Sequence, residues 1–155
     1  MPPREALDRF HEVGEVPEKA RAFALALVEA TLANREDIDQ RLTLALEHWK
    51  LSRLPAVVRS LLRMAVCEMI VMEESPFQVV VNEAVETARQ YMDEDSSKFV
   101  NGVLERCWIN DGRELPPGRT PRPGDLAGLA PAEPPSLPQE AGLEPEPEEP
   151  DENQD

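Results

Sequence analysis

Two constellations in the chain combine residue types and spacings that invite a chemical reading. Arg59 and Arg63 stand four apart in an otherwise apolar stretch. That spacing sets both guanidinium groups on one helical face as a basic stripe. Such a stripe suits a phosphate or an acidic partner, and a solvated edge held by ion pairs fits the same spacing. Lys98, Asn101, Gly102 and Glu105 share a second helical face, opposite Phe99, Val100, Val103 and Leu104. Glycine is the odd member there. Inside a helix it costs about 1 kcal/mol against alanine, so either close helix packing or close approach of a ligand is expected at Gly102. Asn82 and Glu83 follow the Val79–Val81 run as a polar pair. They fit a link between helices and a face toward a partner equally well.

Catalytic chemistry has no comparable footing. The chain lacks a phosphate-cradling glycine loop, an HExxH pair, a GxSxG elbow and a CxxC motif, and His11 and His48 lie far apart without ligand-spaced neighbours. No enzyme activity, cofactor or metal is expected. Cys67 and Cys107 both fall on apolar helical faces, where reduced core thiols are expected rather than a disulfide or metal pair.

The 155 residues carry a net charge of -15, unevenly spread. Residues 1–110 hold 13 Lys/Arg against 19 Asp/Glu, whereas residues 111–155 hold 3 against 12. A net-negative body argues against sequence-indifferent binding of nucleic acid, because phosphate affinity comes largely from cations that displace counterions. The start, Met1-Pro2-Pro3-Arg4-Glu5, resembles no secretory signal, and no run of about 18 apolar residues occurs. A soluble cytoplasmic protein with no membrane association is expected.

Positioning these residues falls to helices. Ala20, Phe23, Ala24, Leu27, Val28, Thr31 and Leu32 recur at three- and four-residue steps and predict a helix over 17–32. Ile38, Leu42, Ala45, Leu46 and Trp49 predict an antiparallel neighbour over 35–49. From Pro55 to about Met72 the pattern is apolar nearly all round, which predicts the central helix. Ser75-Pro76-Phe77-Gln78 combines an N-cap serine, a first-turn proline and a capping-box glutamine, opening a helix with Phe77, Val80, Val81, Ala84, Val85, Ala88 and Tyr91 inward. The last helix begins near Asp95-Ser96-Ser97 and stops at Asn110-Asp111-Gly112. A weaker segment, Arg4 to Glu12, predicts one short helix with Leu7 and Phe10 inward. The expected fold is an all-α bundle over 1–110. Residues 111–155 hold 11 of the 16 prolines and end in an acidic run, so a disordered tail is expected there.

Three separated motifs, in order, resemble the NusB family: Leu62-Arg63-Met64-Ala65-Val66-Cys67-Glu68-Met69, then Pro76-Phe77-Gln78-Val79-Val80-Val81-Asn82-Glu83-Ala84-Val85-Glu86, then Ser97-Lys98-Phe99-Val100-Asn101-Gly102-Val103-Leu104. The likeness is close over residues 52–108, and residues 5–50 match in helix pattern only. It implies an all-helical factor that binds a boxA-type RNA together with a small-subunit ribosomal protein. It also implies a place in the RNA polymerase antitermination complex that reads through terminators on ribosomal RNA operons. The family's RNA-contacting stretch carries over onto Lys98, Phe99, Asn101 and Gly102. Lys98 would meet phosphate, and Phe99 would stack a base where its ring reaches the surface. Periodicity puts the same Phe99 on the packed face.

One departure stands out. The family opens with an arginine-rich first helix, and nothing before Arg4 supplies one. Either a start upstream of Met1 or loss of that helix is expected, the former favoured. Both leave apolar surface exposed on helix 17–32 and weaken RNA binding. Two other readings remain: a protein-only helical adaptor whose RNA binding is weak or has disappeared, and a detached targeting module like the NusB-like part of RNA cytosine methyltransferases.

Overall fold

Six α-helices and no strand make up the described part of the chain, residues 2–11 and 16–119, in a computed structural model. They are α1 (Pro3–His11), α2 (Glu18–Ala33), α3 (Arg35–Ala45), α4 (Ala56–Val66), α5 (Phe77–Tyr91) and α6 (Glu94–Asn110). The side chains of Leu7 and Phe10, expected inward, and residues 120–155 of the expected tail lie outside the described residues.

Local chemistry explains most boundaries. Pro17 precedes α2 with φ -54, as a residue without an N–H suits a helix start. Asn34 ends α2 by donating its backbone N–H and its carboxamide to the Ala30 carbonyl, at 3.0 and 2.8 Å. It leads straight into α3, whose first turn carries Glu36 and Asp37 where the helix dipole favours negative charge. The expected continuation to Trp49 does not occur. α3 ends at Ala45, and a turn followed by a 3₁₀ turn, Leu51–Arg53, carries Leu46 and Leu54 into the core. Apolar residues at three-residue steps bury equally well from a helix or from successive turns, so periodicity does not locate that end.

α4 continues as a π-helical segment, Cys67–Met72, and stops at Glu73, whose φ of 54 is left-handed. As expected, α4 is central: it packs against α2, α3, α5 and α6. The capping box expected at Ser75 is not formed. Pro76 precedes α5 without a side-chain cap, and its carbonyl accepts from Val79 and Val80. Tyr91, expected inward, is 70% exposed: it is the last residue of α5, and the buried face of that turn is taken by Ala88. Asn82 and Glu83 both face solvent. α6 is capped by Asp93, whose carboxylate accepts from Ser96 N–H at 2.6 Å.

The core runs through all of α2 to α6. Ile38, Leu42, Val58, Leu62, Val81, Val100, Val103 and Leu104 are fully buried. The apolar surface expected on the first long helix is present at Phe23 and Leu32, joined by Leu44 of α3.

α6 ends in a Schellman arrangement: Arg113 N–H donates to Trp108 C=O and Gly112 N–H to Ile109 C=O, with Gly112 at φ +79. A Cβ at Gly112 would meet nothing within 4 Å, so only backbone strain opposes substitution. Gly112→Ala is therefore expected to cost about 1 kcal/mol in urea denaturation.

Candidate nucleic-acid interface

The Asp93 cap fixes the start of α6 and so the direction in which each later residue points. Ser96, Ser97, Val100, Val103, Leu104 and Cys107 turn inward. Lys98 is exposed, and no carboxylate pairs with it among the described residues. Asn101 is half-buried one turn further on. Gly102 is buried. Phe99 is half-buried and packs against the core. Lys98, Asn101 and Gly102 therefore follow one side of α6, with Lys98 as its exposed cation and Gly102 buried, while Phe99 leans toward the packed side.

The two arginines of α4 have other partners. Arg63 is largely buried and makes a two-pronged pair with Asp39 of α3, at 2.7 and 2.8 Å. Its fork is filled by a carboxylate. Arg59 donates to the carbonyls of Ser52 and Leu54, both at 3.4 Å, and keeps its charge without a carboxylate partner among the described residues. An open groove of about 880 Å³ beside Asp39 is lined by α2 and α3, including Leu32, Arg35 and Leu44, and includes no residue of α6.

Helical periodicity did not place the segment that covers the far end of the α6 face. Residues 111–119 run back along α6, so the ordered body extends beyond the composition break at Asp111. Trp108 donates its indole N–H to Glu114 C=O at 2.9 Å, Arg113 stacks over the Trp108 ring at 4.7 Å, and Leu115 packs against the core. Pro116-Pro117-Gly118-Arg119 then closes a turn, with Arg119 N–H on Pro116 C=O at 3.1 Å and Gly118 at φ +88. Proline followed by glycine at the two central positions is the type II signature. The turn delivers Arg119 to α6, where it pairs with Glu105 at 3.1 Å and donates to Asn101 Oδ1 at 2.9 Å. Its guanidinium also lies 5.4 Å from the centre of the Phe77 ring. The Pro117-Gly118 dipeptide was the available signal, masked by the acidic, proline-rich composition around it.

An ionic cluster holds the root of this strap. Asp111 accepts from Arg113 at 2.7 Å and from Arg41 of α3, while Arg113 also meets Glu73. Burial alone would raise the Asp111 carboxyl, but the hydrogen bonds from Arg113 and Arg41 outweigh it and hold the group below the ordinary 3.8. With a depressed folded value, the cluster's contribution is present above 3.8 and lost as pH falls through the folded value. Thermal midpoints are expected to fall below about pH 4, and less steeply in Asp111→Asn, because that variant has no carboxyl to protonate. The Cys107 thiol is pushed up to about 12 by burial, so it stays protonated and inert at neutral pH.

Known proteins share this architecture. The sequence model of the NusB family matches residues 4–108. The chain is similar to a transcription antitermination protein NusB of Heliobacterium modesticaldum, at 45% identity over 67% of this chain and 50% of that protein. It is similar to one from Bacillus mycoides at 42% identity over 67% of this chain and 78% of that protein. It spans 38% of a Synechococcus relative. Its fold is similar to a crystal structure of antitermination factors NusB and NusE in complex with dsRNA, with a TM-score of 0.59 and 30% identity over 64% of this chain and 74% of that one. It is also similar to T. maritima NusB, with a TM-score of 0.58 and 34% identity over 65% of this chain and 72% of that one.

Proposed function

The chain belongs to the NusB family, and on that footing we propose that it is a transcription antitermination factor that binds a boxA-type RNA together with a small-subunit ribosomal protein. It would act within the antitermination complex on ribosomal RNA operons, in the cytoplasm, holding its partners without catalysing a reaction. The observation that carries the reading is the α6 patch. Lys98 is an exposed cation without a carboxylate partner among the described residues, one turn from a half-buried carboxamide. That combination suits one phosphate contact beside one base or sugar contact. Phe99 lies half-buried beside them, and Gly102 is buried one residue beyond Asn101. Arg59 would add charge from the start of α4; Arg63 would contribute less, since Asp39 fills its fork. The fold's likeness to a NusB solved with NusE and dsRNA supports the same assembly. Among the described residues no helix is long and apolar enough to cross a membrane.

A second reading, a protein-only adaptor, draws support from the commitment of Arg63 and Arg119 to carboxylates. Anisotropy of a fluorescent boxA-type RNA, with and without the ribosomal protein, separates the two. Saturable binding that strengthens with the ribosomal protein and weakens steeply with salt is expected. Capture of the ribosomal protein with no RNA binding in either arm would favour the adaptor.

A further inference from the structure

Arg119 lies outside the three motifs that carry the family likeness, yet it touches the centre of the proposed RNA face. Its Nη2 donates to Asn101 Oδ1 at 2.9 Å and its Nε pairs with the buried Glu105 at 3.1 Å. Its position is fixed from behind by the Pro117-Gly118 turn and by the Trp108 hydrogen bond to Glu114. An arginine carries only donors, so the group it meets on a carboxamide has to be the oxygen. The Asn101 NH2 is left as the side chain's remaining polar group, with no partner among the described residues.

The geometry points to Arg119 as a positioning residue that locks the Asn101 carboxamide with its NH2 outward, making the RNA face select an acceptor on the nucleotide it meets. This rests on the RNA reading above. A free carboxamide turns over and satisfies a donor or an acceptor edge equally; one whose oxygen is held by Arg119 cannot turn over and keeps its NH2 as the group presented to the nucleotide. Uracil O4 and guanine O6 are acceptors, whereas cytosine N4 and adenine N6 at the same places are amino donors. With the contact at O4 or O6, a U→C or G→A exchange at that nucleotide thus replaces an acceptor with a donor that meets the Asn101 NH2 head-on.

The test uses the full chain and a boxA-type single-stranded RNA, with U→C and G→A exchanges made one position at a time and affinities read by anisotropy. In the wild type, one position is expected to show a loss of about tenfold on exchange, the scale of one misplaced hydrogen bond. In Glu105→Gln/Arg119→Met, which removes the buried charge pair but keeps a long chain against Phe77, that loss is expected to shrink to about twofold or less. Asn101→Ala should abolish it, and adding the Glu105/Arg119 changes to Asn101→Ala should then alter nothing further. Circular dichroism and thermal midpoints check folding; Glu105→Gln/Arg119→Gln replaces the first variant where it does not fold. A folded variant that keeps the wild-type preference overturns the role of Arg119, as does a wild type that binds RNA with no position sensitive to exchange. A wild type that binds none of these RNAs overturns the RNA reading itself, and this inference with it.

Discussion

Leu104→Ala is expected to lower the free energy of unfolding by about 3 kcal/mol, measured by urea denaturation with an unchanged slope. Leu104 is 0% exposed and sits on α6, which packs against α3, α4 and α5 at once. Truncating it removes buried methyl groups and leaves a cavity between helices that are held by ion pairs on their rims, such as Arg41–Asp111 and Arg106–Glu47. Such walls collapse only partly into the space, which places the loss within the range found for buried leucines. Against the roughly 5–15 kcal/mol that holds a domain of this size together, the change is large. It leaves Lys98 and Asn101 in place, so RNA affinity measured where the variant is still folded is expected to stay close to wild type.

Lys98→Ala/Asn101→Ala is expected to do the reverse: little change in thermal midpoint and a loss of RNA affinity of about thirtyfold or more. Removing a charged donor from a phosphate and a carboxamide from a base or sugar edge costs about 2 kcal/mol together, and 1.4 kcal/mol is a factor of ten. The salt dependence separates the two contributions. Lys98→Ala alone should lower the slope of log affinity against log salt by about one, whereas Asn101→Ala alone should leave the slope unchanged. Unaltered affinity in the double variant would remove α6 from the RNA interface. The small stability effect is expected because Lys98 is exposed and, among the described residues, the Asn101 carboxamide hydrogen-bonds to Arg119 alone, which keeps its pair with Glu105.

The contrast between Arg59 and Arg63 shows where a linear pattern stops. The pair was legible as one basic stripe because their spacing sets them on a single helical face. Whether a stripe is free to bind depends on what the neighbouring helix presents, and α3 presents Asp39 to Arg63 but not to Arg59. Asp39 lies 24 positions away, so no local pattern contained the pairing. Glu105 makes the same point from the other direction. Its helical position shared the polar face with Lys98 and Asn101, yet it is buried, because a turn further along the chain covers it with Arg119.

What the sequence determined by itself is the set of helices and their inward faces, because helical periodicity and start and stop residues act over a few positions. The family likeness rests on the same local runs. Which polar residues remain open for a partner was decided only by the tertiary structure, since ion pairs and coverage depend on charges brought together from distant positions. So Lys98 stays open, Arg63 closes onto Asp39, and Arg119, placed by a proline-glycine turn in an otherwise acidic stretch, becomes part of the face that bears Asn101.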